Sequence, residues 1–239
     1  WPQRRRPESR RTAPRTGPWE VEYPNGKTRY SGTFVKGKPV GEMVHYYEDG
    51  GVRARMEFDS SGRRSYTRLY YNSGKKAAEG WYMDQEKDSV WTYYSEFDGL
   101  VRFREPYREG KLHGEVERYY QHGTVSETVE WEMDRKKGSW KQYYPDGALR
   151  LEGMYAKDRL NGPYRVYYAD STLKMEGRYK DDLSEGTWNY YDPAGEKIYS
   201  IEYENGKALD QERYLQLMQD SLIHFEETAE PEGRDRPNF

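Results

Sequence analysis

The sequence predicts an all-β protein: an elongated, single-layer antiparallel sheet of about eight tandem β-hairpin repeats, ending in a short C-terminal helix. Three observations predict it. A turn glycine recurs at Gly26, Gly50, Gly74, Gly99, Gly123, Gly147 and Gly195, with Ser171 in the same place in one unit. The steps are 24 residues, apart from one of 25 that marks an insertion between Tyr82 and Gly99. Eight residues after each of these positions stands an aromatic: Phe34, Phe58, Tyr82, Tyr107, Trp131, Tyr155, Tyr179 and Tyr203. Finally, 34% of the 239 residues are hydrophobic and 34% charged, with a mean hydropathy of -1.27, too polar for a compact core of this length. The 25 Tyr, 7 Trp and 23 Gly instead suit short twisted strands joined by tight turns.

Residues 1–18 open the chain with a different composition. Arg4, Arg5, Arg6, Arg10, Arg11 and Arg15 face a single acid, Glu8, and prolines stand at 2, 7, 14 and 18. Like charge and proline together predict an extended arm. It reads either as a solvated linker or as a strap on an acidic partner. Because its one aromatic is Trp1, base stacking is poorly supported and nucleic acid is disfavoured as a ligand.

Residues 19–207 hold the repeats. Upstream of the turns stand tyrosine pairs, Tyr46–Tyr47, Tyr70–Tyr71, Tyr93–Tyr94, Tyr119–Tyr120, Tyr143–Tyr144, Tyr167–Tyr168 and Tyr190–Tyr191. A further ring precedes them at Trp19, Trp91, Trp140, Tyr164 and Trp188, and a second glycine opens the unit at Gly41, Gly114, Gly138, Gly162 and Gly186. Asn25-Gly26, Asp98-Gly99, Asp146-Gly147 and Asn205-Gly206 supply the positive φ that hairpin turns need. Segments of alternating ring and charge between turns predict about 16 antiparallel strands, on the order of 75 Å of sheet.

Residues 208–226 change period. Leu215, Met218, Leu222 and Phe225 fall on one helical face behind Asp210, an N-cap residue, which predicts a helix that caps the array or docks on a partner. Residues 227–239 read as a disordered acidic tail.

The repeat resembles the MORN family, in the variant form found in bacterial proteins of the YwqK antitoxin type. The likeness is carried by Gly138-Ser-Trp-Lys-Gln-Tyr-Tyr-Pro-Asp-Gly147 with Leu151-Glu-Gly-Met-Tyr155, and by Gly162-Pro-Tyr164 with Glu176-Gly-Arg-Tyr179. It spans roughly Trp19 to Lys207 and is looser in the second to fourth units, where Met43 and Thr67 replace the first ring. The resemblance implies a twisted single-layer sheet used for protein–protein or lipid contacts.

Catalytic chemistry is not expected. The chain has no Cys, and its four histidines, His45, His113, His122 and His224, lack metal-ligand spacing. No phosphate-binding loop, nucleophile elbow or dinucleotide fingerprint occurs. Acid pairs such as Asp181–Asp182 read as charged turns. No catalytic, metal or cofactor residue is therefore assigned, and no small-molecule substrate. Net charge is -3, without a basic bias, and no apolar run approaches the length of a membrane helix.

The expected function is a non-enzymatic scaffold for protein–protein interaction within a larger assembly. Adjacent residues of a strand point to opposite faces, so one tyrosine of each pair is expected to be the more exposed. Tyr46, Tyr70, Tyr119, Tyr143, Tyr167 and Tyr190 are the candidate partner surface. Alternatives are an antitoxin-like inhibitor of one partner and a peripheral membrane or lipid-binding module; interspersed Lys and Glu argue against the basic stripe a lipid binder needs. The chain opens at Trp1 rather than Met, and with the resemblance this places it in the cell envelope or periplasm after signal removal; the cytoplasm, or an organelle after loss of a transit peptide, is the alternative.

Overall fold

The computed structural model describes residues 14–212 and residue 215. The first half of the sheet comprises β1 (Gly17–Glu22), β2 (Thr28–Val35), β3 (Lys38–Tyr46), β4 (Val52–Phe58), β5 (Arg64–Tyr70), β6 (Lys76–Met83), β7 (Glu86–Tyr94), β8 (Val101–Arg108) and β9 (Lys111–Leu112). The second half comprises β10 (Gly114–Tyr119), β11 (Val125–Glu132), β12 (Arg135–Tyr143), β13 (Leu149–Ala156), β14 (Arg159–Leu160), β15 (Gly162–Tyr167), β16 (Leu173–Lys180), β17 (Leu183–Tyr191), β18 (Lys197–Glu204) and β19 (Lys207–Ala208). Every pairing is antiparallel and joins near neighbours in the chain, so the whole is one open meander. The hairpin count holds. The strand count rises to 19 because β9/β10 and β14/β15 are single strands broken at His113 and Asn161, and β19 begins one more.

Two kinds of turn alternate, except after β4, where a longer turn closes from Asp59 N–H to Arg64 O (3.0 Å). The narrow turns have two central residues, both at positive φ: Lys36-Gly37 (50°, 82°), Met133-Asp134 (50°, 66°), Lys157-Asp158 (53°, 69°) and Asp181-Asp182 (50°, 69°). This is the mirror-image turn whose twist matches that of the flanking strands, and Asn, Asp and Gly tolerate it best. The wide turns carry the periodic glycine and close on a bond from Tyr47 N–H to Gly51 O (2.8 Å) and its equivalents. The one-residue insertion lies in a wide turn: there Ser95 N–H reaches Leu100 O, one residue further on, and Phe97 is pushed out to 92% exposure.

The second periodic glycine has a separate cause. Gly41, Gly114, Gly138, Gly162 and Gly186 all have positive φ, between 65° and 124°, and Ser89 adopts 58° in the same place. Each sits where the pairing slips, as between Gly32↔Met43 and Thr33↔Val40, so it forms a β-bulge.

A third glycine sits under a ring rather than in a turn. Gly80 lies beneath Trp91 and Gly177 beneath Trp188, where an added Cβ would stand 2.5 and 2.2 Å from ring atoms. The bare backbone is the seat of the ring. Around these seats Ala78, Trp91, Tyr93 and Phe103 form one core cluster, and Met175, Trp188, Tyr190 and Ile201 another. All lie on the same side of the sheet, the core face.

Arg15 belongs to the structure rather than to a free arm. Its guanidinium lies 4.6 Å from the Trp19 ring and donates to Tyr30 Oη (2.6 Å), while its carbonyl accepts from Gly37 N–H (2.8 Å). At the other end Gln211, Glu212 and Leu215 are helical in backbone, but the remainder of the expected helix falls outside the described residues.

The ring seats make a direct prediction. Gly177→Ala should cost about 2–3 kcal/mol, since Trp188 is buried and cannot withdraw. Gly123→Ala, with positive φ and open space around it, should cost nearer 1 kcal/mol. Urea unfolding midpoints compare the two, and equal losses would refute the seat.

Candidate functional site: the tyrosine face

Opposite the core face, Tyr46, Tyr70, Tyr119, Tyr143 and Tyr167 come into register as one column, half-buried rather than exposed. Tyr190 does not join them. It is 8% exposed on the core face, packed with Trp188 and stacked on Tyr199 at 4.6 Å. The column is completed instead by Tyr94 and Tyr191. In two units the tyrosine pair is displaced by one residue relative to the bulge, and a one-residue slip moves a side chain to the other face. Counting five residues on from the bulge position (Gly41 to Tyr46, Ser89 to Tyr94, Gly186 to Tyr191) finds the right tyrosine every time; counting from the pair does not.

The column is held by carboxylates. Tyr94 donates to Glu79 Oε1 (2.5 Å), Tyr167 to Glu152 (2.9 Å), Tyr191 to Glu176 (2.9 Å), and Tyr119 to Glu117. Cations interleave. Arg165 bonds Glu152 (3.0 Å) and reaches Glu176 (3.6 Å), Arg104 lies 5.6 Å from the Tyr119 ring, and Lys76 sits 4.5 Å from the Tyr94 ring. Burial and the bond to Glu117 push the Tyr119 phenol up to about 12. Burial would raise the Glu79 carboxyl, but bonds from Tyr94, Lys76 and Tyr66 outweigh it and hold it below its ordinary value. Glu152 behaves alike, with Arg165 and Tyr167 overcoming the effect of burial.

The second tyrosine of the pair has a different task. Tyr23, Tyr47 and Tyr71 donate to the carbonyls of Tyr46, Tyr70 and Tyr94 (2.6–2.7 Å), each in the next repeat. Tyr120, Tyr144 and Tyr168 donate to Tyr143, Tyr167 and Tyr191 (2.7–3.0 Å) in the same way. The series is interrupted at Ser95, in the widened turn. On the opposite rim each narrow turn bonds backward: Asp134 N–H to Leu112 O (3.0 Å), Asp158 to Lys136 (3.0 Å) and Asp182 to Leu160 (2.9 Å). The aspartate carboxylates complete those links by accepting from the N–H of Leu112, Lys136 and Leu160.

Polar groups also enter the core face. Glu105, 1% exposed, accepts from Tyr107 Oη (2.6 Å), and Lys87 donates to Tyr93 Oη (2.6 Å) with its ammonium 5.1 Å from the Trp91 ring. Glu127 accepts from Trp140 Nε1 (2.9 Å) and Gln142. These contacts run along the sheet, within one strand at Glu105 and Lys87 and between neighbouring strands at Glu127. Among the described residues no group of His, Asp or Glu could hold a metal ion, and no helix is long and apolar enough to cross a membrane.

Of the remaining sequence candidates, Arg4, Arg5, Arg6, Arg10 and Arg11 lie outside the described residues, as do Met218, Leu222 and Phe225; Leu215 is described and exposed.

Four stretches match the MORN repeat variant: residues 15–36, 112–132, 136–157 and 160–181. MORN repeats are in general interaction modules for proteins or membranes, a scaffold type rather than a catalytic one. The matched units and the unmatched ones between them share a single sheet. No curated protein matches the chain.

The lowered carboxyls couple stability to pH. A group whose folded pKa is depressed stabilises the fold above its ordinary value, here 4.5, and that contribution is lost as pH falls through the folded pKa. The unfolding midpoint should therefore drop between about pH 6 and pH 3. The double variant Tyr94→Phe/Tyr167→Phe should lose less over that interval, since Glu79 and Glu152 then titrate closer to normal. An unchanged interval in denaturant titrations would refute the coupling.

Proposed function

We propose that the chain is a non-enzymatic scaffold whose tyrosine face binds another protein, as one subunit of a multi-subunit assembly in the cell envelope. The observation that carries the reading is the in-register column of tyrosines, in which Tyr94, Tyr119, Tyr167 and Tyr191 are bonded to carboxylates and guanidinium or ammonium groups interleave. Those four rings are pre-ordered by their hydrogen bonds, so binding freezes few of their rotamers, and ordered Tyr with Arg is what protein interfaces enrich. Charges of both signs alternate along the face, which suits a complementary protein surface better than a uniformly anionic bilayer. The envelope placement draws on the resemblance to bacterial repeat proteins.

Affinity purification of the full chain from native membranes tests this. The wild type and a narrow-rim variant, Lys157→Ser, should retain the same co-eluting proteins, and Tyr143→Glu/Arg165→Glu should lose them. Retention by the double variant, or recovery of the wild-type chain alone as a monomer, would overturn the reading. Sedimentation of the wild type with protein-free anionic vesicles would favour the lipid module instead.

A further inference from the structure

On the tyrosine face, nearer the narrow-turn rim, a second row of side chains crosses the sheet. Glu42 and Glu57 occupy it on one side and Glu115 and Glu130 on the other. Between them four successive strands place Tyr66 (β5), Trp81 (β6), Val90 (β7) and Pro106 (β8) along the row, with Asp88 paired opposite Trp81 where the bulge at Ser89 lets the β6–β7 register slip. Tyr66 and Trp81 meet edge to face at 5.1 Å, and Val90 is 50% exposed. The fold does not require apolar groups here. These same units already bury Ala78, Trp91, Tyr93 and Phe103 on the opposite face.

The charges around the row are specific. Arg68 is engaged by Glu57 (2.7 Å). Arg64 is different: its guanidinium carbon lies over the Trp81 ring, 4.0 Å from the centroid, and a guanidinium held on a ring face can still donate from its N–H edges. At the other end of the row Arg108, two residues beyond Pro106 on β8, projects to the same side and is exposed. Neither arginine forms an ion pair with a described residue. Glu86 stands between them on the intervening strand, next to Met83.

Three strand spacings separate β5 from β8, about 14 Å. An extended peptide rises about 3.3 Å per residue with alternate side chains on one side, so its first and fifth residues lie about 13 Å apart and face the same way as its third. From this match we infer that the row is the docking site for an extended acidic segment of a partner protein, with the pattern acid-x-apolar-x-acid, lying across the strands. Its outer carboxylates meet Arg64 and Arg108. Its central apolar side chain rests on Trp81 and Val90, and Asp88 and Glu86 on the intervening strand exclude an acid from that middle position. The inference rests on the tyrosine face being a protein-binding face, and it supplies the chemistry of what binds.

Fluorescence anisotropy with the full chain tests it, using a labelled peptide Glu-Ser-Leu-Ser-Glu between Gly-Ser flanks. Controls are the peptide with both Glu replaced by Lys, the peptide with Leu replaced by Ser, a single-stranded oligonucleotide, and phosphatidylserine vesicles. The acidic peptide should bind about tenfold more tightly than either control peptide, and Arg64→Glu or Arg108→Glu should each remove most of that advantage. The double reversal should come to prefer the Lys peptide, a gain that misfolding cannot mimic. Equal binding of the acidic and Lys peptides, indifference to both reversals, or binding of the oligonucleotide or vesicles in place of the peptide would overturn the proposal. Failure of the wider reading is separable. If native partners are lost with Tyr143→Glu/Arg165→Glu yet unaffected by reversals at 64 and 108, the docking row falls and the tyrosine face stands; if nothing co-elutes, the face itself falls.

Discussion

A sheet one layer thick has no opposing layer to pack against, so each hairpin can be held in place only by the hairpins beside it. The backbone ladder supplies the first tie. It resists separation but leaves twist and shear between repeats soft, because strand pairing alone tolerates both. What stiffens the array is bonding along its two rims. Tyrosine hydroxyls reach forward to the next repeat's carbonyls, and narrow turns reach back to the previous repeat's strand. Each bond contributes about 1 kcal/mol, and their recurrence along both rims, interrupted at Ser95 and at the Asp59–Arg64 turn, makes nearest-neighbour coupling large relative to what one hairpin could achieve alone.

That constraint explains the residue choices. Tyr rather than Phe stands at the wide turns because the hydroxyl must donate across a repeat. Asp appears at the narrow turns because it tolerates positive φ and its carboxylate accepts one further N–H, as Asp158 does from Lys136. Glycine beneath a tryptophan lets a ring bury itself against backbone where no second layer exists to cover it. The widened turn at Ser95–Leu100 is the one place where insertion and loss of the tyrosine bond coincide, which puts the weakest coupling of the described array between the fourth and fifth hairpins. With packing and rim bonds confined to one face and two edges, the other face is left to present ordered tyrosine, arginine and glutamate.

Much of this was legible in the residues themselves. The 24-residue step, the turn glycines and the tyrosine-rich strands determined the class of fold and the number of hairpins, because turn chemistry is local. Arg15 and the ring seats were not legible. Both depend on which side chain lies across a strand gap, and Gly80 and Trp91 are eleven residues apart with a hairpin between them.

The sequence by itself therefore determined that this is an array of β-hairpins with two rims and two faces. The tertiary structure alone decided which face each tyrosine occupies, since the period of a strand is two and a single bulge residue reverses it. Tyr190 and Tyr191 are the clearest case: adjacent in the chain, one lies in the core and the other on the outer column. The row from Tyr66 to Pro106 was invisible for the same reason. Its members follow each other across strands at uneven separations along the chain, and pairing register, which no local pattern reports, brings them into line.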